Sequence, residues 1–106
     1  MTKITIKRNG NVHEVKIEGH ACFSKAGTDI VCAAVSTLAY TLLNRLQNLV
    51  ELERVEAFEH EEADGYMRIV FESDTTEAFS ALETIKIGFL MLEENFSKFV
   101  SLACEK

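Results

Sequence analysis

The chain has 106 residues and a mass of 11.9 kDa, which is the size of one small domain. Hydrophobic residues make up 47% and charged residues 26%, an ordinary globular composition that excludes disordered, collagen-like and disulfide-stapled proteins. Seventeen acidic against eleven basic residues give a formal net charge of −6, which disfavours nucleic acid as a ligand. We therefore expect a single domain over residues 1–106 without a direct nucleic-acid partner.

Targeting and cysteine patterns indicate a cytoplasmic protein. The first eight residues alternate between polar and apolar, unlike a secretory signal, and the uncharged run 30–44 is too short for a membrane span. We expect no membrane partner. The three cysteines, Cys22, Cys32 and Cys104, are odd in number and lack CxxC spacing. This pattern favours reduced thiols over disulfides and predicts neither a metal site nor a cofactor.

A β-hairpin is predicted at the amino terminus. Residues 3–8 and 12–18 alternate in polarity, and Asn9-Gly10-Asn11 supplies a turn with positive φ. One face of the hairpin is apolar and carries Ile4, Ile6, Val15 and Ile17. Residues 19–28 follow neither the strand nor the helix period, and their glycines and small polar residues predict a loop.

The next segment predicts a long helix over about residues 29–48. Thr28 or Asp29 is a suitable N-cap. Apolar residues then recur at steps of three and four: Val31, Ala34, Val35, Leu38, Leu42 and Leu46. Because Ala39, Tyr40 and Leu43 widen this apolar surface, we expect the helix to be covered by a sheet and by a second subunit in a homodimer.

A second hairpin, a second helix and a last strand complete the prediction. Residues 53–62 and 66–71 form the hairpin around the turn Ala63-Asp64-Gly65. Helical spacing follows to about residue 95, with caps offered by Ser73, Asp74 and Thr75. Residues 99–104 form the last strand, and Cys104 is expected in the core or within that strand. The histidines of the two hairpins, His13 and His60, have charged neighbours and are expected to be solvated.

The element order β-β-α-β-β-α-β predicts an α+β fold. Two hairpins and a terminal strand would form one sheet, with both helices packed on one face. Fold class does not determine function, which depends on particular residues.

Cys32 and His20 are the candidate catalytic pair. Cys32 falls near the start of the first helix, where free backbone N–H groups and the helix dipole stabilise a thiolate. His20 lies twelve residues earlier, on a loop long enough to fold back and exchange a proton with the thiol. The helix-start N–H groups could also bind a developing oxyanion. The alternative from the residues alone is that Cys32 is an inert core cysteine.

A known signature lies within residues 19–36: Gly19-His20-Ala21, Gly27, Asp29-Ile30-Val31-Cys32-Ala33-Ala34 and Ser36. It resembles that of the ribosomal-processing cysteine protease Prp family, and the resemblance extends over nearly the whole chain. Family members are small homodimeric bacterial cysteine proteases that remove a short N-terminal extension from large ribosomal subunit protein twenty-seven, a step that supports ribosome assembly. The resemblance implies the same activity here, with Cys32 as nucleophile and His20 as general base and acid.

The resemblance also implies supporting roles for other residues of the signature. Asp29 could cap the helix, orient His20 or contact substrate, and capping is the first expectation. Gly19 and Gly27 would give the loop the backbone freedom to close over a peptide. Ser36, one turn beyond Cys32, could line the site or bond to a neighbouring carbonyl.

Two alternatives to a protease stay open. The first is a non-catalytic, ribosome-associated module that binds a peptide in a groove beside the first helix. The second is a thiol-based redox sensor that pairs Cys22 with Cys32, although no resolving-cysteine motif links them.

Overall fold

The structure is a computed structural model that describes residues 1–25 and 28–105. Its elements follow the predicted order, and their bounds are β1 Thr2–Asn9, β2 Val12–Glu18, α1 Ile30–Glu51, β3 Ala57–Ala63, β4 Tyr66–Glu72, α2 Thr76–Asn95 and β5 Val100–Glu105. Five strands in one sheet and two helices confirm the predicted α+β fold. No helix of the described part is long and apolar enough to cross a membrane.

The strand order in the sheet is β3-β4-β2-β1-β5. The two hairpins β1–β2 and β3–β4 are antiparallel, and β2 also pairs antiparallel with β4. The last strand, β5, runs parallel to β1 on the far edge, because α2 carries the chain across the sheet before β5 begins. The two hairpins therefore lie side by side, and their inner strands, β2 and β4, pair in the middle of the sheet.

Alternation in the strands places one apolar face against the helices. In β4, every second residue is buried and the residues between them are partly exposed. Fully buried side chains from strands and helices form one core, the largest being Phe71, Phe89, Ile4, Leu42, Leu46, Leu49 and Ile69. The edge strand β3 contributes little to it, since Phe58 is its single half-buried side chain.

The first helix is longer than the sequence predicted and ends at Glu51 rather than near residue 48. Leu49 continues the apolar period three residues after Leu46 and is fully buried, so packing favours the additional turn. The sequence offers no glycine or proline to end the helix there. Instead, Glu53 adopts a positive φ of 58° and the Arg54 N–H donates to the Leu49 carbonyl.

The third strand begins at Ala57, so the predicted start at residue 53 was wrong. Residues 53–56 connect the helix to the sheet, and Val55 is buried among them. Val55 is apolar because it packs in the core, and together with Ala57 it gives these residues the alternation of a strand although they form none.

One residue outside the signature, His13, differs from the sequence expectation. His13 is buried, with 4% of its surface exposed, because its ring stacks on Phe71 at a centroid distance of 4.9 Å. His60 is exposed, as expected. Cys104 lies within the edge strand β5, as expected, and is exposed.

Candidate active site

Cys32 lies in the first turn of α1 and is partly buried. The backbone N–H of Ala21 donates a hydrogen bond to its Sγ at 3.3 Å. The sulfur thus accepts a backbone N–H at the start of the helix. The loop before the helix therefore reaches back to the residue that the sequence singled out as a nucleophile.

Asp29 is the N-cap of α1 and is buried. Its Oδ1 accepts hydrogen bonds from the N–H groups of Val31 and Cys32 at 2.9 and 3.0 Å, and its Oδ2 accepts from those of Phe23 and Ser24 at 2.9 and 3.3 Å. The N–H of Cys32 makes the largest contribution to holding the pKa of this carboxyl below its ordinary value, and burial opposes it. One side chain thus joins the helix start to the loop.

The same contacts change the expectation for the oxyanion. The N–H groups of Val31 and Cys32 are bonded to the Asp29 carboxylate, and the Ala33 N–H donates to the Asp29 carbonyl. These three N–H groups already donate to Asp29 and are not free to bind an oxyanion. The predicted oxyanion site at these groups was therefore wrong. The Ala21 N–H, from the loop, is the donor directed at the sulfur.

Phe23 fixes the other side of the loop. Its ring makes edge-to-face contacts with Phe96 and Phe99 at centroid distances of 5.6 and 5.1 Å. Both partners belong to the segment that joins α2 to β5. The loop is thus held by Asp29 on one side and by an aromatic cluster on the other.

His20 lies beside the turn between β3 and β4. Its Nε2 is 3.7 Å from Asp64 Oδ1. The residue before it, Gly19, has φ +86° and donates its N–H to the Gly65 carbonyl at 2.8 Å. A Cβ at position 19 would lie 2.5 Å from the Met1 carbonyl oxygen, so glycine is required there both by backbone conformation and by space.

Two concavities meet at these residues. A cleft of about 320 Å³ and a wider surface cavity of about 690 Å³ are both lined by His20, Cys32, Ser36 and Asp64. The floor of the cleft is apolar, with Ile17, Val35, Ala39 and Met67 among its residues. At its rim the Tyr40 hydroxyl donates to a Glu62 carboxylate oxygen. A cleft with an apolar floor and a few polar groups suits an extended peptide.

The structure thus brings together most of the residues that the sequence proposed for the site. His20, Cys32 and Ser36 line both concavities, Asp29 lines the wider one, and Gly19 lines the cleft. Gly27 lies outside the described residues. Within residues 1–25 and 28–105, no hydrogen bond joins His20 to Cys32.

Sequence reasoning missed the Ala21 N–H, Asp64 and Gly65. The turn at residues 63–65 is recognisable in the sequence, but its contact with His20 joins residues more than forty positions apart, and no local pattern reports such a contact. In the described part of the chain, no group of three His, Cys, Asp or Glu side chains is arranged to hold a metal ion.

The fold and the cleft define a small α+β protein that presents a cysteine at a helix start and a histidine in the same cleft, an arrangement suited to thiol-dependent hydrolysis. The chain matches the family described as Cysteine protease Prp over residues 1–101. It belongs to that family, which confirms the resemblance seen in the sequence.

Known relatives agree with this assignment. Ribosomal processing cysteine protease Prp of Staphylococcus aureus strain Mu50 is 28% identical over 100 residues, which are 93% of this chain and 92% of the relative. The crystal structure of an essential ribosomal processing protease Prp from Staphylococcus aureus with a covalently linked product peptide has a TM-score of 0.84 at 26% identity and covers 98% of this chain and 99% of that one. The crystal structure of SMU.848 from Streptococcus mutans has a TM-score of 0.74 at 32% identity and covers 100% and 96%.

Proposed function

We propose that this chain is a cysteine endopeptidase with Cys32 as nucleophile and His20 as general base and acid. The observation that carries the proposal is the position of Cys32 in the first turn of α1, with its sulfur accepting the Ala21 N–H in a cleft that His20 also lines. Membership of a cysteine protease family supports it. A cysteine that was only packed in the core would need neither an open cleft nor a donor directed at its sulfur.

The reaction proceeds through an acyl-enzyme. A peptide lies extended along the cleft, and the Cys32 thiol transfers its proton to His20 while its sulfur attacks the scissile carbonyl carbon. The C–N bond then breaks as His20 donates that proton to the departing amine. Water, deprotonated by His20, attacks the thioester and releases the acid, and the proton returns to the sulfur.

The Ala21 N–H is the proposed donor to the oxyanion. It lies 3.3 Å from Sγ, and we infer that it donates to the carbonyl oxygen once the carbon is bonded to the sulfur. A backbone donor held in place before the reaction needs no reorganisation when negative charge develops on that oxygen. Asp29 and Phe23 hold the segment that carries this donor.

The proposed substrate is the N-terminal extension of large ribosomal subunit protein twenty-seven, whose removal supports ribosome assembly. Supporting this are the family, the Staphylococcus aureus relative named as a ribosomal processing protease, and the product peptide bound covalently to that protein. The proposed compartment is the cytoplasm, in keeping with three free cysteines.

A comparison of peptide cleavage by the wild type and by variants at Cys32 and His20 tests the proposal. A peptide spanning the extension and its junction is incubated with wild type, Cys32→Ala and His20→Ala, and the products are identified by mass spectrometry. Either substitution should lower kcat/KM by at least about 1,000-fold, because each removes a member of the reacting pair. Cys104→Ala is the matched control and should retain cleavage, since this thiol is exposed and lies in β5, outside both concavities.

Each result has a distinct meaning. Full activity in a folded Cys32→Ala protein would contradict the mechanism. A folded wild type that binds the peptide without cutting it would favour the binding module over the protease. An internal Cys22–Cys32 disulfide after mild oxidation, together with absent cleavage, would favour the redox sensor.

A further inference from the structure

The turn between β3 and β4 leaves room for His20 only because residue 65 has no side chain. A Cβ built on Gly65 would lie 2.9 Å from His20 Nε2 and 3.4 Å from its Cδ2. The backbone of Gly65 has φ +66°, a conformation that residues with a Cβ rarely adopt. Both observations make glycine the residue that permits the imidazole to occupy this space.

The same turn contacts His20 in two further ways. The Gly19 N–H donates to the Gly65 carbonyl, which ties the residue before His20 to the turn. The Asp64 carboxylate lies 3.7 Å from the imidazole Nε2. Both side chains of this pair are exposed, by 56% for His20 and 98% for Asp64, so solvent screens the attraction between them.

We propose that the β3–β4 turn positions the general base, with Gly65 providing the space for the imidazole and the Asp64 carboxylate lying 3.7 Å from its Nε2. This inference rests on the proposed function and adds to it two positioning residues, which act through His20 and touch no reacting atom.

The chain contains a matched control for Gly65. Gly10 lies in the turn of the other hairpin, has φ +62°, and would place its Cβ in open space. Alanine therefore imposes the same kind of backbone strain at both positions, but only at position 65 does it meet His20. A difference between the two variants isolates the contact with the imidazole.

The experiment compares wild type, Gly65→Ala and Gly10→Ala by two readouts. The first is the NMR chemical shift of the His20 ring Cε1–H group, and the second is kcat and KM for the peptide. In Gly65→Ala we expect a shifted His20 signal and a kcat lowered by roughly ten- to hundredfold with little change in KM, because a small displacement of a catalytic group slows chemistry more than binding. Gly10→Ala should match wild type in both.

The second arm replaces the carboxylate. Asp64→Asn should move the His20 signal and lower kcat about two- to fivefold, as suits an exposed pair, whereas the exposed Asp74→Asn should do neither. A wild-type His20 signal and kcat in Asp64→Asn would overturn the role of Asp64.

The outcomes separate this inference from the proposed function. A Gly65→Ala protein with the wild-type His20 signal overturns the inference, whatever its activity. If the wild type cleaves nothing, the proposed function fails, and the His20 signal still decides whether the turn positions the ring. If the alanine variants do not fold, Gly65→Asn and Gly10→Asn are compared in the same way, because asparagine tolerates positive φ.

Discussion

Asp29 shows how much one residue can organise at this site. An N-cap needs only one oxygen to satisfy the helix start, and threonine at position 75 caps α2 in this way. Asp29 uses its second oxygen for the loop, where it accepts the N–H groups of Phe23 and Ser24. The loop that carries Ala21 is therefore anchored to the same carboxylate that caps the helix of Cys32.

Asp29→Asn separates these two roles, because an amide keeps only one acceptor oxygen. We expect the amide to keep the cap on Val31 and Cys32 and to lose the acceptor for Phe23 and Ser24. Hydrogen exchange measured by NMR should become about five- to tenfold faster at those two loop amides and change little at the helix start, as expected for the loss of one hydrogen bond each. Equal acceleration at both places would contradict the separation, and Asp74→Asn is the control.

At the scale of elements, β2, β4 and α2 enclose a histidine that takes no part in the proposed chemistry. The ring of His13 stacks on Phe71 of β4, and Phe79 of α2 lies 6.1 Å from it. Burial, aided by the positive charge of Arg8, lowers the pKa of His13, while Glu83 acts in the opposite direction. The packing of these elements therefore favours the neutral ring.

This burial predicts a specific loss of stability in acid. The pKa of His13 is lower in the folded than in the unfolded chain, so protons bind the unfolded chain first as the pH falls through the ordinary histidine pKa of about 6.5. The contribution of the neutral ring is complete above that pH and decreases below it. The free energy of unfolding, measured by urea titration between about pH 7.5 and pH 5, should fall less in His13→Gln than in wild type. Equal slopes in wild type and His13→Gln would contradict the prediction.

At the scale of the whole molecule, the helical layer leaves apolar side chains uncovered. Ile87, Leu90 and Met91 lie on one side of α2 at steps of three and four residues, and Ile87 and Met91 are 59% and 58% exposed. An exposed apolar strip of this kind is typical of a contact between proteins. This strip supports the homodimer that the sequence analysis predicted from the apolar surface of α1. The homodimer stays a prediction.

Replacing one residue of the strip tests the homodimer. Ile87→Glu places a charge within this strip and should convert a dimer into a monomer in sedimentation equilibrium measurements at micromolar concentration. The control is Val50→Glu, which also replaces a β-branched apolar residue by glutamate, at a half-exposed position near the end of α1. It should leave the sedimentation mass unchanged. A wild type that sediments as a monomer would contradict the homodimer.

The sequence by itself determined the element order, because alternation and helical periodicity are local patterns that can be recognised without knowing the tertiary structure. It also offered Thr28 or Asp29 as the cap and placed Cys32 near the start of the helix; the structure makes Asp29 the N-cap and places Cys32 in the first turn. Element ends were less well determined: the end of α1 depended on the burial of Leu49, which only the core could decide.

The surroundings of His20 were decided by the tertiary structure alone. Nothing near His20 in the chain indicates that it will meet Asp64 and Gly65. Pairing of β2 with β4 aligns Glu18 with Tyr66, and this register brings Gly19 against Gly65 at the end of the two strands. Because the register follows from packing one apolar face of the whole sheet against two helices, a contact over such a sequence distance exists only after the entire core has formed.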